Sequence, residues 1–148
     1  MKAFWIVVVA LAFCALESRG AFAQSRDGVY RGTLVCGTFM RSRIRSAIEM
    51  TLSGRDARFT RPVVITEKGP VVGTETGTGT VDGDKVALTG SWSGDKMGFE
   101  SSYSGAFVRR ASLKFTGAQN WTHDGKSTRR NCSGSAKRAP AFFRKRPG

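Results

Sequence analysis

The dominant pattern along the chain is an alternation of apolar and polar residues with a period of two. In the segment from 40 to 52 the even positions are mostly apolar, and the odd positions carry every charge, namely Arg41, Arg43, Arg45 and Glu49. A helix would scatter these charged residues around its circumference, whereas a strand places alternate residues on one face. The pattern therefore predicts a half-buried strand whose charged side chains face outward.

Similar segments recur along the chain, and turn signals separate them. Further strands are predicted over residues 30–36, 59–65, 72–81, 85–92, 97–107, 110–116 and 128–133. Proline has no backbone N–H, so the strand that contains Pro62 is predicted to be bent or to lie at an edge there. Asp82-Gly83 suits a type I′ hairpin turn. Because the connections are too short for crossover helices, we expect about seven or eight strands in up-and-down order.

The first 23 residues have the pattern of an export signal. A lysine precedes an apolar run from Ala3 to Leu16, and Ala21-Phe22-Ala23 forms an A-x-A cleavage site. The run is short for a membrane span, although a transmembrane anchor and a lipoprotein modified at Cys14 are alternatives. We therefore expect a bacterial protein that is periplasmic or secreted, in a compartment where paired cysteines oxidise.

Two cysteines follow the predicted signal, Cys36 in the first predicted strand and Cys132 in the last. In a closed meander these strands are neighbours, so a disulfide between them would join the closing seam. Closing a loop of about 100 residues makes such a bond worth about 4–5 kcal/mol in the chain-entropy model. The sequence thus predicts an all-β fold, a single small antiparallel up-and-down β-barrel. A two-sheet sandwich and a pair of free buried thiols are the alternatives.

The chain divides into three regions: a signal over residues 1–23, a barrel over 24–135 and a basic tail over 136–148. The tail contains two prolines and no acidic residue, so we expect it to be poorly ordered. Its basic residues are Lys137, Arg138, Arg144, Lys145 and Arg146. Such residues are drawn to an anionic membrane or a polyanion, and the adjacent Phe142 and Phe143 can insert at an interface. A solvated, solubilising end is the alternative.

Positive charge also dominates the predicted barrel. The whole chain has 24 Lys and Arg against 11 Asp and Glu, a net charge of +13. Strand parity predicts an outward-facing set of five arginines: Arg31, Arg41, Arg43, Arg45 and Arg58. Guanidinium groups form forked hydrogen bonds to phosphate and carboxylate, so this set predicts an anion-binding face. The alternative is a solvated face partly neutralised by Glu49 and Asp56.

The later strands supply the predicted core, which consists of Trp92, Phe99, Tyr103, Phe107 and Phe115. Three small residues also face inward: Gly90, Ser101 and Gly105. An eight-stranded barrel either fills its interior with side chains or holds one small ligand. The small residues therefore either leave room for a ligand or relieve crowding between strands, and the sequence leaves both interpretations open.

One short motif resembles a known family. Leu88-Thr89-Gly90-Ser91-Trp92 resembles the Leu-Thr-Gly-x-Trp sequence that opens the first strand of avidin-type biotin-binding barrels, but here it lies in mid-chain. The resemblance covers five residues, and no biotin-binding residue is carried over by it. The expected architecture is also similar to that of lipocalin-like secreted barrels, which implies a shape and no function.

The residues that usually carry catalysis or bind metals are scarce. His123 and Asp124 lie in a predicted hairpin tip, so we interpret the histidine as a bystander. No C-x-x-C, H-x-x-x-H or EF-hand spacing occurs, and we therefore expect neither a metal nor a cofactor. The leading hypothesis is an exported, non-enzymatic barrel that binds anionic lipid, lipopolysaccharide or a polyanion through its arginines and its tail. The alternatives are a carrier of a small apolar ligand and a loop-mediated inhibitor of a secreted hydrolase.

Overall fold

Eight strands form a closed barrel. The computed structural model describes residues 25–37, 43–66 and 68–140, so the predicted signal lies outside the described residues. The strands are β1 (Gly28–Gly37), β2 (Arg43–Ser53), β3 (Asp56–Val64), β4 (Val71–Asp82), β5 (Lys85–Ser93), β6 (Met97–Arg109), β7 (Ser112–His123) and β8 (Lys126–Arg138). Each strand pairs with its sequence neighbours, and β1 pairs with β8. The predicted antiparallel up-and-down barrel is confirmed, and its closure excludes the sandwich.

A disulfide bond joins the first and last strands. Cys36 and Cys132 are directly opposed in the β1–β8 ladder, with Cα atoms 4.1 Å apart and 96 residues apart in sequence. Both side chains point into the barrel and are buried. The predicted bond at the closing seam is therefore confirmed, and the alternative of two free thiols is wrong.

The last strand is longer than its sequence pattern indicated. Ala136 is buried and lies opposite Gly32 of β1 and Leu113 of β7, so the alternation continues past residue 135. Lys137 and Arg138 consequently belong to β8, and the boundary that we predicted between barrel and tail falls inside this strand. The remaining basic residues of the predicted tail, Arg144, Lys145 and Arg146, lie outside the described residues.

The turn between β4 and β5 is shifted by one residue from the prediction. Asp82 pairs with Lys85, so Gly83 and Asp84 are the two central residues of the turn. Gly83 has a φ of 60°, and Asp84 is not among the residues with positive φ. This is the pattern of a type II′ turn, in which the first central residue alone needs a left-handed backbone and glycine supplies it. The predicted type I′ assignment is therefore wrong here.

The ladder between β2 and β3 ends before the two strands do. It runs from Ser53 opposite Asp56 to Glu49 opposite Thr60, and beyond that point β3 pairs only with β4. Pro62 lies in this part of β3, so the prediction of an edge position is confirmed. The missing N–H of proline costs nothing on an unpaired edge.

Aromatic rings fill the space that the interior glycines leave. A Cβ atom at Gly90 would lie 2.6 Å from Cζ of the Phe59 ring, whereas one at Gly105 would meet the neighbouring strand at the Lys114 carbonyl oxygen. The predicted core residues Phe99, Tyr103, Phe107 and Phe115 are buried, and Trp92 is half-buried. Close packing of rings onto glycine backbone relieves crowding, which favours the second of the two interpretations of these glycines.

Candidate functional site

A layer of polar side chains crosses the interior of the barrel. It consists of Ser46 on β2, Arg61 on β3, Glu75 on β4, Ser101 on β6, Gln119 on β7 and Arg130 on β8, all more than nine-tenths buried. We call this set the polar layer. The strand register assembles it, because Arg61 is directly opposite Glu75 and Gln119 is directly opposite both Ser101 and Arg130.

The Glu75 carboxylate is the centre of the polar layer. Its Oε2 accepts hydrogen bonds from Nε of Arg61 and, at 3.5 Å, from Nε2 of Gln119. Its Oε1 accepts from the Ser101 hydroxyl and, at 3.2 Å, from the Tyr103 hydroxyl. Four hydrogen-bond donors therefore converge on this one buried carboxylate. Burial and the neighbouring charge of Glu75 in turn raise the pKa of Tyr103 to about 12, so its hydroxyl stays a donor.

The second arginine of the layer is held by an amide. The Gln119 carbonyl oxygen accepts hydrogen bonds from Nε of Arg130 at 2.6 Å and from Nε1 of Trp121 at 3.1 Å. Arg130 has no carboxylate partner within the described ranges. Burial, together with the positive charge of Arg61, lowers the pKa of Arg130 to about 10. The guanidinium therefore still carries its charge at neutral pH.

The polar layer thus contains two buried guanidinium groups and one carboxylate, which pairs with Arg61 alone. Nη1 of Arg61 donates to the Ser46 hydroxyl at 2.9 Å, across the edge where the β2–β3 ladder has ended. Nη2 of Arg61 and Nη2 of Arg130 are buried and have no hydrogen-bond partner among the described residues. Buried polar atoms in folded proteins are nearly always hydrogen-bonded. The polar layer therefore has both an excess positive charge and unused hydrogen-bond donors.

Aromatic side chains cover the polar layer on the side of the β7–β8 turn. Trp92, Phe99 and Trp121 occupy directly opposed positions on β5, β6 and β7, and the Phe99 and Trp121 ring centroids are 4.6 Å apart. Cζ of Arg130 lies 4.4 Å from the Trp121 ring centroid, and Cζ of Arg61 lies 5.6 Å from that of Phe99. We call these three residues the aromatic cap. It stacks on both guanidinium groups and is well suited to them, because ring faces attract cations.

A pocket of about 350 Å³ lies beside the aromatic cap. Its lining consists of Ile65, Met97, Trp121, His123, Lys126 and Thr128. Trp121 forms one wall of the pocket and also stacks on Arg130, which lies two residues along β8 from Thr128. The pocket is thus lined by apolar side chains together with His123, Lys126 and Thr128, and one of the apolar side chains, Trp121, contacts a buried cation.

The predicted outward-facing arginines are exposed wherever they fall within the described residues. Arg43 and Arg45 follow each other on the outer face of β2 and form no ion pair with any residue that the structure describes. Arg31 lies beside Lys137, but its Nε is 2.8 Å from Oε2 of Glu49. Arg41 lies outside the described residues. Part of the predicted charge is therefore neutralised, as the presence of Glu49 in the sequence suggested.

The outer face of β8, β1, β2 and β3 is nevertheless the basic side of the barrel. We use the name basic wall for its exposed, outward-facing residues Arg31, Arg43, Arg45, Arg58 and Lys137. Arg138 is exposed as well, but it has the parity of the inward Ala136 and lies at the end of the barrel, opposite Tyr30. Arg58 stands apart from the others, opposite Thr51 and Thr78. By contrast, the outer positions of β4 from 74 to 80 are all threonine. The asymmetry gives the barrel one charged face and one neutral hydroxyl-rich face.

The remaining candidate residues are unremarkable in their surroundings. His123 and Asp124 lie at the β7–β8 turn, with Nε2 and Oδ2 3.3 Å apart and both side chains exposed. Asp124 and Gly125 both have positive φ, so the turn itself explains the Asp-Gly pair. Within residues 25–37, 43–66 and 68–140, no group of His, Cys, Asp and Glu has the arrangement of a metal site, and no helix is long and apolar enough to span a membrane.

Sequence reasoning did not single out the polar layer, although strand parity could have found it. Phe59 points inward, so Arg61 and Val63 must do so too. The same rule applied to Cys132 places Arg130 inside. This rule was applied to Arg58 but not to Arg61 or Arg130, and the two inner arginines were therefore given no role.

No protein-family model matches the chain, and no curated protein matches it. Among solved structures, the barrel is similar to part of a mutant of the vaccine antigen Transferrin Binding Protein B from Haemophilus parasuis Hp5, with a TM-score of 0.46 and 15% identity. The alignment covers 76% of this chain and 26% of that one, so the chain spans about a quarter of its length.

Proposed function

We propose that the protein is an exported, non-enzymatic β-barrel that binds the anionic head groups of an envelope lipid through the basic wall. The observation that carries the proposal is the position of Arg43 and Arg45, which are exposed side by side and have no acidic partner in the described part of the chain. The buried disulfide supports export, because such bonds persist in oxidising compartments. Phosphate groups of lipids or lipopolysaccharide match the forked donors of arginine.

Binding to lipid vesicles tests this proposal. The purified protein is sedimented with vesicles of phosphatidylglycerol or of phosphatidylcholine over a range of salt concentrations. We expect retention on the anionic vesicles alone, and a loss of retention as salt rises, because the attraction acts between exposed charges. Retention that is absent even at low salt would overturn the proposal. A soluble polyphosphate that binds where vesicles do not would identify a polyanion partner and would also overturn it.

A pair of charge-matched variants locates the contact. At about 1 kcal/mol per basic residue near an anionic surface, the double variant Arg43→Ser/Arg45→Ser should bind anionic vesicles about thirtyfold more weakly. The control Lys85→Ser/Lys114→Ser removes the same charge from exposed positions on β5 and β7, two strands that the basic wall does not include. Equal weakening in both double variants would mean that net charge, and not the basic wall, causes retention.

A further inference from the structure

The polar layer holds more positive charge than its own groups compensate. Arg61 and Glu75 form a buried ion pair, whereas Arg130 contacts the neutral Gln119 amide. Each guanidinium also keeps one buried Nη2 atom without a partner. An unsatisfied buried donor destabilises the folded protein, and does so more strongly when it is charged. A second anion in this layer would remove both deficits at once.

The chemistry of the layer selects a carboxylate as that anion. The side chains here already hold one carboxylate, that of Glu75, with donors from Arg61, Ser101, Tyr103 and Gln119. The unused donors, Nη2 of Arg61 and Nη2 of Arg130, are guanidinium N–H groups of the same kind, and a carboxylate offers one oxygen to each.

The pocket beside the aromatic cap indicates that the rest of the ligand is apolar. The pocket of about 350 Å³ has apolar walls formed by Ile65, Met97 and Trp121. This volume is within the range of about 300–1,000 Å³ that is typical of small-molecule sites. Trp121 belongs to both the pocket lining and the aromatic cap, so an acid lying in the pocket contacts the same ring on which Arg130 stacks.

We infer that the barrel binds an apolar monocarboxylate, with its tail in the pocket beside the aromatic cap and its carboxylate between Arg61 and Arg130. Entry of the head group requires the Trp121 ring to turn aside, or passage through the edge where the β2–β3 ladder ends near Ser46. The inference is independent of the proposed function, because Arg130 lies inside the barrel and the basic wall lies outside it.

Tryptophan fluorescence tests the inference directly, because Trp92 and Trp121 lie in the aromatic cap. Acetate, hexanoate and decanoate are titrated in the absence of vesicles, with decanol as the uncharged analogue. We expect saturable binding of decanoate, weaker binding of the shorter acids, and much weaker binding of decanol. Decanol binding as tightly as decanoate would overturn the role of the arginines. Acetate binding as tightly as decanoate would overturn the role of the pocket.

Adjacent arginines on β8 provide a matched pair of variants. Arg130→Met removes the buried guanidinium and should weaken decanoate binding about tenfold or more, because a hydrogen bond to a charged group is lost in a buried site. Arg129→Met removes the same group from the exposed neighbouring position and should leave the affinity unchanged. Arg130→Lys retains the charge without the fork, and an intermediate affinity is expected from it.

Folding of the variants is checked by circular dichroism before binding is compared. If Arg130→Met does not fold, the decanoate affinity of Arg130→Lys is compared with that of Arg129→Met, and Arg130→Lys should bind more weakly. Equal affinities in the position 130 and position 129 variants would overturn the inference. A second check uses the wild-type protein alone, since a ligand that binds only the folded state raises its melting temperature. Decanoate should raise the melting temperature much more than decanol does at the same concentration.

Discussion

Replacement of Glu75 by glutamine is the most direct perturbation of the polar layer. The change keeps the size and shape of the side chain but removes the single negative charge that faces Arg61. It also turns one acceptor oxygen into an N–H₂ group, which then meets donors from Ser101 or Gln119. Two guanidinium groups are left in the barrel interior without any carboxylate from the described residues.

The expected loss of stability is large because the ion pair is buried. The side chains of Arg61 and Glu75 are 1% and 0% exposed, so water cannot replace the missing charge. Removal of one partner from such a pair costs about 3–5 kcal/mol. The whole free energy of unfolding of a small domain is about 5–15 kcal/mol, so Glu75→Gln should lose a substantial part of it.

Urea unfolding measures this loss, with a matched control on the outer face. Glu100→Gln makes the same chemical change at an exposed position of β6, and we expect a change of at most about 0.5 kcal/mol. The double variant Glu75→Gln/Arg61→Met should regain part of the stability lost by Glu75→Gln, because it removes the charge left without a partner. If the free energy of unfolding of Glu75→Gln is within about 1 kcal/mol of the wild-type value, the reasoning about a compensated buried charge is wrong.

Two further predictions concern the disulfide bond between β1 and β8 and the stability of the protein at alkaline pH. The free energy of unfolding of the double variant Cys36→Ser/Cys132→Ser, measured in urea, should be about 4–5 kcal/mol lower than that of the wild type. Addition of reductant to the wild type should lower its free energy of unfolding by the same amount. A much smaller decrease would contradict the chain-entropy account. Burial and the charge of Glu75 raise the pKa of Tyr103 from 10.0 to about 12, so the stability linked to this hydroxyl is complete below pH 10 and is lost as pH rises through 12. Tyr103→Phe should therefore lose less stability than the wild type between these pH values, and tyrosinate absorbance of the folded wild type should confirm the late ionisation.

The architecture could be predicted because the sequence shows the alternation of apolar and polar residues and also the cysteine pair that indicates closure of the barrel. In β2, inward Ile44, Ile48 and Met50 alternate with exposed residues, and the structure follows this pattern throughout the strand. The cysteine pair then fixed which strands meet, since Cys36 and Cys132 lie in the first and last predicted strands. A period of two, short connections and one long-range bond leave few arrangements other than a closed meander.

The ends of the strands and the partners across them were harder to predict. The last part of β8 is rich in Ser, Gly, Ala and basic residues, which have low strand propensity, so the segment had the composition of a tail. It is a strand because β1 and β7 pair with it on both sides. Likewise, parity could place Arg61 and Glu75 inside, but their direct opposition depends on the register between β3 and β4. That register depends on the connection between the strands and on an irregularity at Val63 and Val64.

Arg129 and Arg130 are neighbours on β8, but only the buried Arg130 needs a functional explanation. Arg129 is exposed, where a guanidinium keeps its hydration and costs little. Arg130 is 5% exposed, and burial lowers its pKa to about 10, which records the cost of keeping it charged inside the barrel. Replacement of buried charged groups by apolar residues of similar volume is often neutral or stabilising, so stability alone does not account for a guanidinium at this position. A ligand whose carboxylate pairs with Arg130 would account for it, and decanoate should then stabilise Glu75→Gln more than it stabilises the wild type, because the added carboxylate replaces the one removed.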